Sequence, residues 1–327
     1  MRLATSGDSD EDLKFAVQLG ATEVVGGNDL PTDQGYYTVE DMVRLRKRVE
    51  EAGLKLAVIS ELPEELTYKI KLGLPGRDEQ IDNWRKTLRN MGEAGIDTML
   101  YFFSLRSWYG NHGLRTDRTM PGRGGSKLTG FDYADIKDET RKYWSVPVPE
   151  SVKADDEQIW DNITYFLKAV VPVAEEAGVR MGLHPDDPPI SPIGGVARVF
   201  RSHAALRRLI EIVASDSNGL TFCAGTISEM PENVLDAIRY FGSRDKIFHV
   251  HFRSVTGTVP KFSETFIGEG HVDMMEAMKA FHEVGFDGPI VDDHVPDLVE
   301  GSRKQYRSHA YAMGYIRALI DVVSGVR

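Results

Sequence analysis

Short extended apolar segments alternate with amphipathic helical segments eight times along the 327-residue sequence. The extended segments are rich in branched and aromatic residues, and the helical segments carry apolar residues three or four positions apart. Eight such strand–helix units predict a (β/α)8 TIM barrel. The predicted strands are 3–5, 22–26, 54–59, 98–103, 179–183, 219–222, 247–250 and 286–292. The predicted helices are 10–19, 39–52, 78–94, 158–177, 204–213, 232–240, 272–284 and 306–323.

The principal alternative fold is an open, doubly wound sheet. Such a sheet usually carries a glycine-rich first turn for a dinucleotide, and the sequence contains no G-x-G-x-x-G motif. No short repeat and no linker divides the chain. We therefore predict one domain over residues 1–327, interrupted by a long inserted loop at about 104–157 that is rich in glycine, proline, arginine and aromatic residues. Loops of this length usually form lids or binding elements.

Charge and composition limit the classes of partner. The formal net charge is −11, and no cluster of lysine or arginine is present, which argues against a nucleic-acid partner. No apolar stretch reaches the roughly 18 residues that a membrane span needs, and no apolar signal core follows Met1. The single cysteine excludes an intramolecular disulfide and favours a reducing compartment. We expect a cytoplasmic protein that acts on a small molecule.

Four residues with metal-binding side chains each stand where a predicted strand ends. They are His184, Cys223, His251 and Asp293, and they follow predicted strands five to eight. The carboxyl ends of barrel strands form one mouth, so these side chains are expected to converge on one half of it. Mixed nitrogen, sulfur and oxygen donors suit Mn²⁺, Fe²⁺, Co²⁺ or Zn²⁺ better than Ca²⁺ or Mg²⁺. We predict a divalent metal site, with Mn²⁺ favoured.

Each of these residues also has a simpler interpretation. Proline and aspartate, which follow His184, are common in turns after strands, and a lone buried cysteine such as Cys223 usually packs as a small apolar residue. His249 and His251 alternate along one strand and therefore point the same way, so both are candidates to bind one ion. We prefer His251 as the ligand, because it lies nearer the mouth, with His249 packed lower in the barrel.

Other polar residues are candidates for contact with a substrate. Arg253 projects on the same face as His251, where a guanidinium can grip a carboxylate. Arg115 and Thr116 lie in the predicted long loop and are candidates to clamp a carboxylate or a hydroxyl. His294 follows Asp293 directly and can carry a proton near neutral pH.

Several segments resemble the metal-dependent mannonate dehydratases of the hexuronate pathway, which belong to the xylose isomerase-like barrels. The most specific is His-Pro-Asp-Asp-Pro-Pro at 184–189, and 70–96, 222–226, 251–255, 272–274 and 293–294 are similar as well. The resemblance implies that His184, Cys223, His251 and Asp293 bind the metal. It also implies that His294 and a downstream tyrosine, Tyr306 or else Tyr311, form the acid–base pair that converts D-mannonate to 2-keto-3-deoxy-D-gluconate.

The sequence departs from this family pattern at the predicted mouth. Phe102 stands where the family usually has asparagine, and Asp-Asp-His-Val at 292–295 replaces Pro-Asp-His-Gly. These changes keep open a different sugar acid as substrate. They also keep open a sugar isomerase or epimerase that uses the same metal site, or an inactive barrel that binds a sugar acid. Barrels of this kind often pair, so a homodimer is one candidate for an oligomeric state that the sequence leaves open.

Overall fold

The computed structural model describes residues 1–106, 114–136, 144–299 and 305–325. Within those ranges the strands are β1 (Arg2–Ser6), β2 (Glu23–Gly26), β3 (Lys55–Ser60), β4 (Thr98–Tyr101), β5 (Asp117–Pro121), β6 (Lys127–Asp132), β7 (Arg180–Leu183), β8 (Asn218–Cys223), β9 (Ile247–His251), β10 (Ser254–Thr258), β11 (Lys261–Thr265) and β12 (Pro289–Val291). The α-helices are α1 (Asp10–Gln18), α2 (Val39–Glu51), α3 (Tyr68–Leu72), α4 (Arg77–Ala94), α5 (Asp156–Ala177), α6 (His203–Ile212), α7 (Ala224–Glu229), α8 (Val234–Gly242), α9 (Met274–Glu283) and α10 (Tyr306–Ser324).

Eight parallel strands close into a barrel in the order β1, β2, β3, β4, β7, β8, β9, β12. This confirms the predicted (β/α)8 fold. Each predicted strand and helix is present, with ends that differ by a few residues. The short helices α3 and α7 were not predicted, because five or six residues are too few to show a helical period.

Helix α5 shows how local sequence sets the elements. It starts at a capping box between Asp155 and Gln158, and it ends at Gly178, whose φ of 67° suits the left-handed conformation of a helix end. Between them, Ile163, Phe166 and other apolar side chains on one face are buried. The helix therefore lies against the barrel along an apolar stripe.

A second, antiparallel sheet lies beside the barrel mouth, with strand order β10, β11, β6, β5. Since β10 begins at Ser254, three residues after β9 ends at His251, this accessory sheet stands on the carboxyl side of the barrel. Part of the predicted long loop therefore forms strands β5 and β6, which the prediction missed. Residues 107–113 and 137–143 of that loop lie outside the described ranges. No helix in the described part of the chain is long and apolar enough to cross a membrane.

Candidate active site

The four predicted metal ligands come together at the mouth of the barrel. His184 follows β7 directly, Cys223 and His251 are the last residues of β8 and β9, and Asp293 lies two residues beyond β12. Their ligand atoms lie within 4.8 Å of one another. Asp293 turns its carboxylate inward from a left-handed backbone conformation, with φ of 58°. The arrangement is the one expected from four neighbouring strand ends.

One hydrogen bond fixes the tautomer of His184 in the form that can bind a metal. Its Nδ1 lies 2.7 Å from the carbonyl oxygen of Pro185. Because a carbonyl can only accept, Nδ1 carries the proton and Nε2 keeps the lone pair that a metal needs. The ring is also held by Phe102, whose ring centroid lies 4.8 Å away.

Cys223 is held as a sulfur donor by the first turn of α7. Its Sγ accepts hydrogen bonds from the backbone N–H of Thr226 at 3.3 Å and from the Thr226 hydroxyl at 3.1 Å. Burial acts to raise the pKa of this thiol, but the charge of Arg253 and the hydrogen bonds of His184 and His251 lower that pKa well below its usual value. A thiolate is the form that binds metal.

The donor set fits a divalent cation. Burial acts to lower the pKa of His251, but Asp293 and Cys223 raise it to about 10. Burial would raise the pKa of Asp293, yet the imidazoles of His294 and His251 lower it well below the usual range. The two anionic donors therefore stabilise positive charge at the centre of the cluster, and a cation bound there would displace the His251 proton. His249 is fully buried and its ring centroid lies 4.7 Å from that of His251.

Arg253 lies beside this cluster, but its guanidinium is fully engaged by protein groups. Its side chain is only 1% exposed. A guanidinium has five N–H donors, and four hydrogen bonds and a further ion pair engage them here. The hydrogen-bond acceptors are Asp293 at 3.0 Å, Glu229 at 2.9 Å, Asp187 at 2.6 Å and Thr226 at 3.0 Å, and the Glu264 carboxylate forms an ion pair at 3.3 Å. Arg253 thus holds the candidate ligand Asp293, and its contact with substrate stays a prediction.

Arg115 and Thr116 hydrogen-bond to other protein groups, and their contact with substrate stays a prediction. The Arg115 side chain is 0% exposed, binds Asp187 through two nitrogens at 2.7 and 2.9 Å, and donates to Glu264 at 2.7 Å. Thr116 accepts a hydrogen bond from the backbone N–H of Asp132 at 2.9 Å, across the accessory sheet. Sequence position placed both residues near the site, but it did not reveal these hydrogen-bond partners.

His294 is the imidazole that borders the cluster on the side of the accessory sheet. Its Nδ1 lies 2.5 Å from Oε1 of Glu264, and its Nε2 lies 3.7 Å from Oδ1 of Asp293. Burial acts to lower the pKa of His294, but Asp293 and Glu264 raise it. Glu264 was missed by the sequence analysis, because it lies on a strand of the accessory sheet and not at a barrel strand end.

Tyr306 begins α10 and contacts α1. Its hydroxyl donates to Oδ1 of Asp12 at 2.9 Å, and its ring packs against Phe15 with centroids 4.5 Å apart. One turn later, Nδ1 of His309 lies 2.8 Å from Oδ2 of Asp292. The sequence analysis did not single out His309. Both contacts lie at the carboxyl side of the barrel, where α1 begins and β12 ends.

A second buried ionic cluster follows β3 and β4, on the opposite half of the mouth. Lys71 places its Nζ 3.3 Å from Glu61 and 3.2 Å from Glu64, and Arg106 places its Nε 3.3 Å from Glu64. The Arg106 guanidinium also lies 5.5 Å over the ring of Phe102, which packs on His184. Arg106 keeps 24% of its side chain exposed, in contrast to Arg115 and Arg253.

The model of the family "D-mannonate dehydratase (UxuA)" matches residues 7–326. The chain belongs to this family. The mannonate dehydratase of Thermotoga maritima is 35% identical over a 342-residue alignment, which covers 94% of this chain and 92% of the relative. The crystal structure of mannonate dehydratase from Streptococcus suis serotype 2 is 29% identical, has a TM-score of 0.87, and covers 99% of this chain and 95% of that one.

More distant likeness extends to sugar epimerases. The structure of an L-ribulose 3-epimerase has a TM-score of 0.62 and 15% identity, with coverage of 99% of this chain and 96% of that one. At that identity the likeness establishes the shared xylose isomerase-like barrel alone. Among these proteins the dehydratases resemble this chain in both sequence and fold, and the family is one of hydro-lyases.

Proposed function

We propose that this protein dehydrates D-mannonate to 2-keto-3-deoxy-D-gluconate at the mouth of its barrel. The observation that carries the proposal is His294, whose Nε2 lies 3.7 Å from Asp293 at the edge of the four-ligand cluster. A proton-transfer group beside a metal site is what removal of a proton next to a carboxylate requires. Membership of the dehydratase family and the close match in fold support the choice of substrate.

The metal in this proposal is held by His184, Cys223, His251 and Asp293. When bound, a divalent cation supplies electrostatic stabilisation of the negative charge that develops on the substrate carboxylate and the neighbouring oxygen. Manganese is our first choice, and Fe²⁺, Co²⁺ and Zn²⁺ suit the same mixed donors. Arg253 holds the Asp293 carboxylate through a 3.0 Å hydrogen bond, and Thr226 holds the Cys223 thiolate.

Proton transfer is assigned to His294 and Tyr306. In dehydration, one group takes the proton from C2, the other protonates the hydroxyl that leaves from C3 as water, and the resulting enol becomes the 2-keto product. Because the Glu264 carboxylate accepts a hydrogen bond from Nδ1 of His294, Nε2 is the atom that exchanges a proton with substrate. Tyr306 supplies the second proton-transfer group, a hydroxyl that Asp12 orients.

Arg106 is the better candidate for the substrate's carboxylate than the two arginines predicted earlier. Arg115 and Arg253 expose 0% and 1% of their side chains, whereas Arg106 exposes 24%. Arg106 is also linked to the ligand His184 through the ring of Phe102. A planar guanidinium at that place can bind a carboxylate through two parallel hydrogen bonds.

The test is a product-resolved assay on metal-free protein refilled with Mn²⁺, and in parallel with Fe²⁺, Co²⁺ and Zn²⁺. D-Mannonate, other aldonates and free aldoses are offered as substrates. A metal-dependent 2-keto-3-deoxy acid from D-mannonate is the expected result. A ketose or an epimer as product would move the protein to the isomerases, and metal-dependent binding without turnover would make it a sugar-acid-binding barrel. Light scattering on the same sample determines whether the protein is a monomer or a homodimer.

A further inference from the structure

Glu264 joins the accessory sheet to the proton-transfer site. It lies on β11, opposite Val255 of β10, and only 5% of the residue is exposed. Its Oε2 accepts a hydrogen bond from the hydroxyl of Thr129, which belongs to β6. Its Oε1 accepts from Arg115 at 2.7 Å and lies 2.5 Å from Nδ1 of His294. The contacts with Thr129 and Arg115 therefore fix the position of the Glu264 carboxylate against the imidazole of His294.

This contact determines which nitrogen of His294 is presented to substrate. A carboxylate accepts a hydrogen bond, so Nδ1 must carry a proton. The other nitrogen, Nε2, then lies on the side of Asp293, 3.7 Å from its Oδ1. A carboxylate that orients a histidine in this way is a recurrent device of proton-transfer sites, where loss of the correct tautomer lowers the rate.

Charge pairing of the two buried arginines does not by itself require Glu264. Arg115 already has a two-point ion pair with Asp187, and Arg253 is paired with Asp187, Glu229 and Asp293 in addition to its 3.3 Å contact with Glu264. Glu264 therefore brings a further buried carboxylate to arginines that are already paired, and such a carboxylate is costly unless its contacts are good. In the described structure, the imidazole that Glu264 contacts is that of His294.

We infer that Glu264 is the positioning residue of His294, and that the accessory sheet completes the active site by holding Glu264 through Thr129. The inference rests on the proposed function, because it assigns to His294 the transfer of a proton to or from substrate. It adds a residue that touches no reacting atom but fixes the tautomer and direction of the group that does.

Three variants and a matched control test it. Glu264→Leu removes the acceptor, Glu264→Gln keeps a carbonyl oxygen in its place, and Thr129→Val removes only the hydroxyl that anchors the carboxylate. The matched control is Thr256→Val on β10 of the same sheet, where the exposed hydroxyl contacts Ser263 at 2.9 Å. Bound metal and thermal unfolding are measured for each variant, so that loss of fold is separated from loss of positioning.

The direct readout is the ¹H–¹⁵N correlation spectrum of the histidine rings in the Zn²⁺-loaded protein. The sequence has nine histidines, so the His294 signal is assigned by its absence in His294→Gln. The wild type is expected to show a proton on Nδ1 of His294, Glu264→Leu to lose that preference, and Glu264→Gln to retain it. In the Mn²⁺ enzyme, kcat should fall about 10- to 100-fold in Glu264→Leu with KM little changed. Glu264→Gln should recover part of that loss, Thr129→Val should show a smaller loss, and the control should match the wild type.

An unchanged His294 signal in Glu264→Leu and Thr129→Val would overturn the inference, whatever the activity. So would a normal kcat in folded, metal-loaded Glu264→Leu. If the wild type forms no 2-keto-3-deoxy product, the proposed function fails, and the ring spectra still decide whether Glu264 positions His294. The two failures are therefore distinguishable.

Discussion

Cys223 and His251 are paired residues on the neighbouring parallel strands β8 and β9. Each is the last residue of its strand, and backbone hydrogen bonding of the barrel fixes the separation of their Cα atoms. Two of the four candidate metal donors thus take their position from strand register rather than from a loop. A site built on strands is expected to be rigid and present before the metal binds.

Cys223→Ala should sharply weaken metal binding. The substitution removes the sulfur donor but fits the same buried space, so the barrel should remain folded. Loss of a group that only supports a metal ligand typically lowers affinity about 10- to 100-fold. We expect loss of the ligand itself to lower Mn²⁺ affinity by at least that much. Isothermal titration calorimetry measures the affinity. His282→Ala, an exposed histidine on α9, is the control, and equal Mn²⁺ affinity in the two variants would exclude Cys223 as a ligand.

His294→Asn should abolish turnover while metal binding survives. The amide can still accept or donate a hydrogen bond near Glu264, but it cannot carry a proton at neutral pH. We expect kcat to fall about 10²- to 10⁴-fold, the usual contribution of a general acid or base. Metal content by mass spectrometry and kcat for D-mannonate are measured together. Full activity in this variant would remove His294 from the mechanism.

Arg115→Gln should destabilise the fold. The Arg115 side chain is 0% exposed and forms ion pairs of 2.7 Å with both Asp187 and Glu264. The substitution removes both ion pairs and leaves the two carboxylates in place. Removal of one partner from a buried ion pair typically costs about 3–5 kcal/mol. Urea unfolding should show a loss of that order. Arg123→Gln, at an exposed ion pair with Glu269, is the comparison and should cost no more than about 1 kcal/mol.

Arg106→Gln should raise KM for the sugar acid more than it lowers kcat. We expect this because the proposed role is to bind the substrate's carboxylate, which is present in the ground state and in the transition state alike. Steady-state kinetics with D-mannonate gives both constants. The Mn²⁺ affinity of Arg106→Gln should equal that of the wild type. A KM equal to that of the wild type would show that Arg106 does not bind the substrate's carboxylate.

The barrel and the metal cluster were predictable because both depend on local patterns. The barrel strands β7, β8, β9 and β12 are short apolar runs. The residue type that follows such a run, as at His184 and Asp293, identifies a polar group at the mouth. The direction of Arg253 was also predictable from its alternation with His251. Its acceptors were not, since Asp187, Glu229 and Asp293 come from segments that follow three different strands, β7, β8 and β12.

The accessory sheet could not be predicted in the same way. Strand β5, Asp117–Pro121, has no apolar alternation, and its residues are exposed or partly exposed. Strand β6 forms its other pairing with β11, whose residues lie more than a hundred positions later in the sequence; Phe131 pairs with Phe262, for example. Long-range pairing of this kind leaves no periodic signal in a single segment. The Glu264–His294 contact depends on that pairing and was missed with it.

The pairing of β6 with β11 also limits how this barrel can be altered. Loops at the mouth of a TIM barrel are commonly exchanged to change specificity while the scaffold stays the same. Here the inserted segment supplies Arg115 and Thr129, which grip a carboxylate that in turn contacts His294. A graft or deletion between β4 and α5 would therefore disturb the proton-transfer step as well as substrate choice, so this segment and the hairpin of β10 and β11 must be exchanged as one unit.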